Sequence, residues 1–301
     1  MDELRVREII AAQLPELAGL NVTRLGEGTD HWVFDVAGQR VLRFPKTDEA
    51  ATRLLTEARL TAWLAPQLPL AIPVYDVLGR PCVQFSRAFG GYQKLPGTPA
   101  ILLPEHRVAW LTAASKVGET LRVLHRLSTA DARRLGVQPE DQGALAEWSE
   151  QAEADLAFAL AHGHVPVSEA AAWRAYLAAP PDPAPGPPQL IHGDLAAEHL
   201  LIGAPSVPEQ GRATGLIDWS DSVLGDPALD LAGLLHWGGV RMLKAALESY
   251  GGADRATLRR AQWYAACRAF ADIVYGQTQE RPEYLLAAGR ALRTWPGLPA
   301  L

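Results

Sequence analysis

The apolar pattern of the chain changes once, near a stretch rich in glycine and proline, and this change narrows the choice of folds most. Before it, short runs such as Trp32–Val36 and Arg40–Phe44 have the composition of strands and are separated by turns. After it, long segments repeat apolar residues at helical spacing. We therefore predict an α+β fold of two lobes, a small antiparallel-sheet lobe over residues 1–95 and a mainly helical lobe over residues 96–301.

The predicted secondary structure follows the same division. In the first lobe the sequence predicts helices over Leu4–Leu14 and Ala50–Leu64, strands over Val22–Leu25, Trp32–Val36, Arg40–Phe44 and Cys82–Phe85, and a connector over Gly90–Gly97. In the second lobe we expect helices over residues 108–127, 144–161, 168–177 and most of 229–292. The proline-rich run 180–188 is too stiff for a helix. It predicts an interdomain linker or, as we prefer, a surface loop within the second lobe.

Composition argues against several classes of function. The 28 Lys and Arg residues against 34 Asp and Glu residues leave a formal charge of −6, which disfavours nucleic-acid binding through a basic surface. The two cysteines lie far apart and match no zinc-site spacing. The first residues are acidic where a signal peptide is basic, and no apolar run is long enough to cross a bilayer. We expect a cytoplasmic protein without nucleic-acid or membrane partners, and we infer no protein partner.

Three polar residues follow or precede short apolar runs in a pattern that suits phosphoryl transfer. Asp194 comes shortly after Leu190-Ile191, His199 directly precedes Leu200-Leu201, and Asp218 ends the run Gly215–Ile217. Strands joined by a tight connection would bring these three side chains into one pocket. One carboxylate could then orient an incoming hydroxyl while another binds the metal that bridges the nucleotide phosphates. Taken singly, each residue suits a turn, a buried histidine or a cap equally well, so the argument depends on their joint spacing.

This segment resembles the aminoglycoside and macrolide phosphotransferase family. The resemblance rests on His192-Gly193-Asp194 with His199, on Ile217-Asp218-Trp219, and on Gly225-Asp226-Pro227 with Asp230-Leu231-Ala232. It implies a two-lobed protein-kinase-like fold, with ATP or GTP as co-substrate, Mg²⁺, and a small-molecule hydroxyl as acceptor. It also implies that Asp194 is the catalytic base or hydroxyl-orienting residue and that Asp218 binds the metal. His199 stands where most kinases place a metal-binding asparagine, while His192 and Asp230 are implied to brace the catalytic loop.

In the first lobe the resemblance extends to a nucleotide-binding loop and a phosphate-binding cation. Gly26-Glu27-Gly28 resembles the loop that covers the phosphates in kinases, without the third glycine of the protein-kinase version. Arg43 occupies the place of the phosphate-binding lysine and keeps its positive charge, and Lys46 is a second candidate. The resemblance makes Glu57 the ion-pair partner of Arg43. Without it, Gly26 and Gly28 would suit an ordinary hairpin and Glu57 a solvated helix face.

The connector between the predicted lobes resembles the interlobe hinge of the same family. Gln93 and Leu95 lie in this segment, and the resemblance implies that its backbone groups pair with the purine edge, leaving the choice between ATP and GTP open. Val41, Phe44 and Ile217 are candidates for the apolar walls of the nucleotide pocket, or for ordinary core. The lobe over residues 1–95 is thereby expected to bind the nucleotide, and the lobe over 96–301 to carry catalysis and the acceptor site.

The sequence gives the least information about which molecule accepts the phosphoryl group. The segment 135–173 carries many acidic residues, which would concentrate a polycationic aminoglycoside or simply form a solvated helix face: Glu140, Asp141, Glu147, Glu150, Glu153, Asp155 and Glu169. Trp148, Leu156, Phe158 and Leu160 could instead line an apolar cleft for a macrolide, and Asp221 is a further acidic candidate. The leading hypothesis is a kinase that phosphorylates an aminoglycoside-type antibiotic. The alternatives are a macrolide or small-metabolite kinase of the same fold and a nucleotide-binding protein without catalysis.

Overall fold

The first lobe is built on a five-stranded antiparallel sheet with two helices. A computed structural model describes residues 1–103, 107–140, 144–203 and 211–294. Within it the sheet has the strand order β1-β2-β3-β5-β4. The elements are α1 (Glu3–Gln13), β1 (Val22–Glu27), β2 (His31–Val36), β3 (Arg40–Pro45), α2 (Asp48–Leu64), β4 (Tyr75–Gly79) and β5 (Phe89–Gln93). The predicted helices and the first three predicted strands are confirmed.

Alternation along β3 divides the sheet into a core face and a face turned toward the second lobe. Leu42 and Phe44 are buried in one apolar cluster with Ile9 and Ile10 of α1. Because successive strand residues point to opposite faces, Val41 and Arg43 face the other way. Phe44 is therefore core, the second of the two alternatives predicted for it.

Two predictions about the end of this lobe are wrong. The segment Cys82–Phe85 is a reverse turn, because the backbone N–H of each end residue donates to the other's carbonyl at 2.7 and 3.1 Å. Gly90 and Gly91 belong to β5 and do not form a connector. Added Cβ atoms there would lie 2.6 Å from the Tyr75 ring and 2.5 Å from Leu42, so glycine provides the space that the crowded strand needs.

Within the described residues, the second lobe is mainly helical and carries five short strands around residues 192–218. Its elements are β6 (Thr98–Pro99), α3 (Arg107–Leu124), α4 (Thr129–Leu135), α5 (Ala144–Ala161), α6 (Ala170–Leu177), β7 (Gln189–Ile191), β8 (Leu200–Ile202), β9 (Ala213–Leu216), β10 (Val223–Gly225), α7 (Ala228–Tyr250), α8 (Arg255–Thr278) and α9 (Pro282–Thr294). β7 pairs with β10, and β8 lies between β6 and β9. The proline-rich run lies between α6 and β7, within this lobe as expected.

Most of residues 229–292 are helical, as predicted, and this part of the chain forms the three helices α7, α8 and α9. The Cβ of an alanine at Gly118 of α3 would lie 2.1 Å from the Ala246 carbonyl of α7, so the two helices are in close contact there. At Gly239 the backbone has φ 66° and ψ −173°, which breaks α7 in the middle. Within the described ranges, each helix is too short or too polar to span a bilayer.

The lobes are joined by residues 94–97 and by shared packing. β5 ends at Gln93, and β6 already pairs with β8 of the second lobe. Leu60 and Leu64 of α2 are buried in the large apolar cluster of the second lobe, although α2 belongs to the first lobe by sequence. The same helix therefore contacts both cores, and its position fixes where Glu57 lies relative to the second lobe.

Candidate active site

The structure brings Asp194, His199 and Asp218 together, as the sequence predicts. Asp194 and His199 lie on the loop between β7 and β8, and Asp218 follows β9. His199 lies between the two carboxylates: its Nδ1 is 3.6 Å from Asp194 Oδ2, and its Nε2 is 3.6 Å from Asp218 Oδ2. The Nδ1–H also donates to the Asp194 backbone carbonyl at 2.8 Å, which fixes the ring. The side chains of Asp194 and Asp218 are 41% and 37% exposed, so both remain accessible to solvent.

A buried carboxylate at the start of α7 holds the first part of this loop. Asp230 is fully buried and accepts the backbone N–H groups of His192 and Gly193 at 2.9 and 3.0 Å. His125 Nε2 lies 3.0 Å from the same carboxylate. His192 in turn donates from Nε2 to the Ile217 carbonyl at 3.1 Å, which ties this loop to the segment before Asp218. Asp230 and His192 therefore both hold this loop in place through hydrogen bonds.

Glycine is required at two close approaches to this loop. Gly193 has φ 87°, and a Cβ there would lie 2.2 Å from the Asp221 carbonyl oxygen. A Cβ on Gly233 of α7 would lie 1.9 Å from the Leu195 carbonyl oxygen. The loop is thus pressed against backbone on two sides, which leaves little freedom for Asp194 to move.

A buried arginine of α8 holds the same loop from the opposite side. Arg268 is 9% exposed and donates from Nη1 to the Leu195 carbonyl and from Nη2 to the Gly193 carbonyl, both at 2.9 Å. Its Nη2 also lies 3.2 Å from Asp194 Oδ1. The sequence analysis did not identify this residue.

Arg43 connects the two lobes through a set of buried polar contacts. Its Nη1 donates to both carboxylate oxygens of Glu57, at 2.7 and 2.9 Å, and to the Tyr75 hydroxyl at 2.9 Å. Its Nη2 lies 3.3 Å from His31 Nδ1 and donates to Asp218 Oδ1 at 3.0 Å. Arg43 therefore contacts the carboxylate predicted for the metal as well as its predicted partner.

The charges at the site follow from these contacts. Burial disfavours ionisation of Asp218, but Arg43 and then His199 outweigh it and hold the pKa of Asp218 well below its usual range. In the same way, Arg268 and then His199 hold the pKa of Asp194 below its usual value. Burial also disfavours a charged His199, yet the Asp194 and Asp218 carboxylates raise its pKa to about 9. At neutral pH the three groups thus form two carboxylates with an imidazolium between them.

Asp218 also has an unusual backbone conformation. Its φ is 63°, in the left-handed region that non-glycine residues seldom adopt. Ser220 donates to Asp218 Oδ1 at 3.0 Å, and the Trp219 backbone N–H donates to Glu57 Oε1 at 3.3 Å. These bonds hold the turn after β9 against α2. Backbone strain of this kind is typical of functional sites.

The predicted nucleotide-binding residues lie in the first lobe and in the connector that follows it. An added Cβ would meet no heavy atom within 4 Å at Gly26, and at Gly28 it would meet one atom at 4.0 Å, so the protein itself does not require small residues there. The space suits a ligand that approaches the backbone closely. Gln93 ends β5, and Leu95 lies in the connector against Gly215. The ammonium of Lys46 lies 5.7 Å from the centre of the Trp32 ring, so it makes a cation–π contact.

The donor set around Asp218 fits Mg²⁺ only in company with a substrate. Within the described ranges no group of three His, Cys, Asp or Glu side chains is arranged to hold a metal. Asp218 offers carboxylate oxygens, which Mg²⁺ prefers, and the ion commonly completes its shell with water and nucleotide phosphates. Direct coordination by His199 would require a neutral ring, since an imidazolium cannot coordinate a cation. The residues therefore fit a metal that arrives with the nucleotide.

A cavity of about 330 Å³ opens beside Asp194 on the side of the second lobe. Four carboxylate residues line it: Asp194, Glu198, Asp221 and Asp272. Partial burial disfavours the charged form of Asp221, and the neighbouring carboxylates of Asp194 and then Asp218 disfavour it further. Together they raise the pKa of Asp221 to about 6. This concentration of negative charge is suited to a cationic ligand.

Asp221, a predicted acidic candidate, lines this cavity, whereas the acidic residues of the segment 135–173 lie elsewhere. Glu147, Glu150 and Glu153 of α5 are exposed, and Asp155 is buried and bonded to Gln151. Glu140 packs against Gly225, and Asp141 lies outside the described residues. Glu169 contacts the Trp173 indole, Leu156 is core, and Phe158 stacks on His162. Of the apolar candidates on α5, Trp148 lines the cavity.

A second, larger cavity of about 460 Å³ adjoins the first and is mostly apolar. It shares Ile101, Ala197, His236, Trp237 and Ala287 with the acidic cavity. Its remaining wall includes Leu103, Leu111 and the segment around the break in α7, Gly238–Met242. The two cavities thus form a continuous cleft with one acidic end and one apolar end.

Several site residues have no signal in the sequence motifs. His236 lies in α7 beyond the recognised Asp230-Leu231-Ala232, and Arg268 and Asp272 lie in α8, where no motif was recognised. His236 and Asp272 pair at 2.8 Å. Tyr75 comes from β4, a strand that was not predicted. The one available hint was that Arg260 and Arg268 interrupt an otherwise mostly apolar stretch of helix.

Comparisons with known proteins agree with this geometry. A model of the phosphotransferase enzyme family matches residues 21–264. A solved GDP and kanamycin complex of APH(2″)-IIIa is similar with a TM-score of 0.75 and 24% identity, over 98% of this chain and 99% of that chain. The apoenzyme of macrolide 2′-phosphotransferase MphH from Brachybacterium faecium has a TM-score of 0.60 and 24% identity, over 95% and 96% of the two chains.

Similarity to curated sequences is confined to short segments. Viomycin phosphotransferase of Streptomyces vinaceus is 32% identical over 96 residues, which are 32% of this chain and 33% of that protein. The uncharacterized protein YcbJ of Bacillus subtilis (strain 168) is 48% identical over 46 residues, 15% of this chain and 13% of that protein. The alignments therefore span a third or less of these relatives, whereas the similarity of fold covers nearly the whole chain.

Proposed function

Since this chain belongs to the phosphotransferase enzyme family, we propose that it transfers the terminal phosphoryl group of ATP or GTP to a hydroxyl group of an aminoglycoside-type antibiotic. The observation that carries the proposal is the position of Asp194. Its carboxylate lies between His199, on the side of the predicted metal site, and a cavity lined by further carboxylates. A hydroxyl group in that cavity would face Asp194 and a nucleotide bound between the two lobes.

Asp194 is proposed to accept a hydrogen bond from the acceptor hydroxyl and to take its proton as the phosphoryl group is transferred. The contact with Arg268 keeps the carboxylate ionised at neutral pH, so it is available as an acceptor. An ionised carboxylate whose pKa is low is a weak base. Its main contribution is therefore to orient the hydroxyl, which suits the positioning that dominates phosphoryl transfer.

The nucleotide is proposed to bind between the lobes, with residues 1–95 as the nucleotide-binding lobe and residues 96–301 as the catalytic and acceptor-binding lobe. Gly26 and Gly28 let the backbone approach the phosphates, and the backbone at Gln93 and Leu95 pairs with the purine edge. Arg43 is proposed to bind phosphate with the guanidinium edge that now contacts Asp218, while Glu57 keeps it in place.

Asp218 and His199 are proposed to hold Mg²⁺ together with the nucleotide phosphates. When bound, the ion neutralises charge that develops on the phosphate oxygens. Arg43 bonds to Asp218 Oδ1, and the Oδ2 atom faces His199. Release of Asp218 by Arg43 would free a carboxylate oxygen for the ion. Loss of the His199 proton would free a ring nitrogen for it. The residues thus exchange partners within one small region and need no large movement.

The acidic cavity supports a cationic acceptor, which is why an aminoglycoside is proposed first. Carboxylates in a partly enclosed cleft attract and concentrate polycations. Three solved structures of similar fold are complexes of other proteins with such molecules, namely kanamycin, gentamicin and streptomycin.

A second candidate is an acceptor with a large apolar part, such as a macrolide. The adjoining cavity of about 460 Å³ supports it, because a purely polar, cationic molecule would leave that apolar wall unused. A macrolide 2′-phosphotransferase has a similar fold, with a TM-score of 0.60. Which end of the cleft an acceptor occupies separates the two candidates.

The test is nucleotide consumption with ATP and with GTP over a panel of aminoglycosides, macrolides and hydroxylated amines, with product identified by mass spectrometry. We expect phosphorylated aminoglycoside, and a loss of about 10²–10⁴-fold in turnover for Asp194→Asn. Glu153→Gln, which changes an exposed carboxylate of α5, is the control and should keep full activity. Product from a macrolide alone supports the second candidate. Nucleotide binding without product from any acceptor contradicts both and favours a binding protein.

A further inference from the structure

Arg268 is joined to the catalytic loop at three points and lines the acceptor cavity. Its guanidinium bonds to the carbonyls of Gly193 and Leu195, which flank Asp194 in sequence, and contacts the Asp194 carboxylate itself. In the described part of the chain these contacts all fall within residues 193–195. The side chain also forms part of the wall of the cavity beside Asp194. A residue placed only to stabilise α8 would have no need of contacts confined to this tripeptide.

The contacts of Arg268 complement those of Asp230. The anionic Asp230 accepts the N–H groups of His192 and Gly193, whereas the cationic Arg268 donates to the carbonyls of Gly193 and Leu195. Each charge therefore binds the backbone dipoles of opposite sign, and such charge-assisted bonds are stronger than neutral ones. The peptide groups on both sides of Asp194 are held in this way from two different helices.

The two oxygens of the Asp194 carboxylate face two different basic side chains. Oδ1 lies 3.2 Å from Arg268 Nη2, and Oδ2 lies 3.6 Å from His199 Nδ1. Rotation of the carboxylate would break one or both contacts. Because 41% of the side chain remains exposed, the fixed carboxylate still presents a surface to the cavity.

We propose that Arg268 is a positioning residue for phosphoryl transfer, holding the Asp194 carboxylate and its flanking peptide carbonyls in the orientation that an acceptor hydroxyl requires. This inference rests on the proposed function of Asp194. The geometry calls for a guanidinium: two nitrogens of one planar group reach three oxygens at once, which the single nitrogen of a lysine cannot do in the same way.

A matched control exists on the same helix. Arg260 is 3% exposed and pairs with the buried carboxylate of Asp226 at 2.5 Å, away from residues 193–195. Arg260→Lys, like Arg268→Lys, keeps a buried positive charge on α8 but removes the planar guanidinium. Its effect on folding should therefore resemble that of replacing Arg268, whereas its effect on Asp194 should not.

The experiment compares Arg268→Ala, Arg268→Lys, Arg260→Lys and Asp194→Asn in the full chain, with the acceptor that the panel identifies. For both Arg268 variants we expect kcat to fall about 10²-fold, the size of effect that misplacing a reacting group by about 1 Å produces, with an unchanged KM for the nucleotide. Added guanidinium ion, far below unfolding concentrations, should restore part of the kcat of Arg268→Ala, because the cavity admits it. It should not restore Asp194→Asn, and sodium chloride at equal ionic strength should restore neither.

The outcomes separate the two levels of the proposal. If Asp194→Asn loses turnover while Arg268→Ala and Arg268→Lys keep kcat within about two-fold, the role of Arg268 is wrong and the proposed function stands. If Arg260→Lys lowers kcat as much as Arg268→Lys at equal melting temperatures, Arg268 is merely structural. If no acceptor is turned over or Asp194→Asn keeps full turnover, the proposed function fails, and the inference fails with it.

Discussion

The buried pair between Arg43 and Glu57 makes a quantitative prediction about stability. Glu57 is 1% exposed and Arg43 is 5% exposed, and both oxygens of the carboxylate contact Arg43 Nη1. Glu57→Gln keeps the shape of the side chain and removes its charge. The guanidinium then stays buried beside an amide, and breaking a buried pair by removing one partner costs about 3–5 kcal/mol.

Asp218 reduces this cost. Its Oδ1 atom stays 3.0 Å from Arg43 Nη2 and supplies part of the missing negative charge. We therefore expect Glu57→Gln to lower the free energy of unfolding by about 2–3 kcal/mol, at or just below the lower limit of that range, and the melting temperature by roughly 5–10 °C. Nucleotide binding should also weaken, because the guanidinium then holds Asp218 more firmly.

Urea and thermal unfolding, followed by circular dichroism, measure the effect. Glu49→Gln is the matched control on the same helix: this carboxylate pairs with Arg53 but is 78% exposed, so its loss should cost less than about 0.5 kcal/mol. Adding Arg43→Met to Glu57→Gln should recover at least about 1 kcal/mol, because no unpaired buried charge remains. The reasoning is wrong if Glu57→Gln costs no more than Glu49→Gln, or if the double variant is less stable than Glu57→Gln alone.

Three further predictions follow from the site. Gly233→Ala should cost about 1–3 kcal/mol in urea unfolding and lower kcat, since its Cβ would meet the Leu195 carbonyl oxygen at 1.9 Å; normal stability would contradict this contact. Gly26→Ala should change stability by less than about 0.5 kcal/mol while raising the nucleotide dissociation constant in calorimetry, and unchanged affinity would remove Gly26 from the nucleotide site. The pKa of Asp221 is about 6 in the folded protein against 3.8 for an ordinary aspartate, so the folded state binds more protons between these values and loses stability as pH rises through that window. Asp221→Asn should therefore raise the free energy of unfolding by about 1 kcal/mol above pH 7 and leave it unchanged below pH 3.5. The gain is smaller than the full pKa shift would give because Asp221 is partly exposed. An equal gain at both pH values would refute the raised pKa of Asp221.

The sequence predicts the parts of this protein that local pattern determines. The division into a sheet lobe and a helical lobe follows from apolar periodicity, and the convergence of Asp194, His199 and Asp218 follows from motifs within 25 residues. In such short segments the local backbone decides where side chains meet. The proposed roles of these residues remain predictions, whereas their proximity is a feature of the structure.

The features that were missed depend on packing between distant segments. Glycines at 90 and 91 suggest a break in the chain, but here they allow a crowded strand, and only the neighbours Tyr75 and Leu42 distinguish the two cases. Arg268 reaches Asp194 because α8 packs against the second lobe's loop from 74 residues away. The carboxylates of the acidic cavity come from three separate segments, of which the one that carries Asp272 was missed, while the acidic stretch on α5 faces solvent.

The break at Gly239 separates two tasks that one helix would otherwise combine. Before it, α7 carries Asp230 and Gly233, which keep the loop of Asp194 in place; after it, Val240 and Met242 line the apolar end of the cleft. Since a rigid helix would transmit any repacking along its length, the interruption insulates the first half from changes in the second. Under the proposed function, substitutions beyond Gly239 would change which acceptors bind while the contacts that hold the loop of Asp194 stay in place.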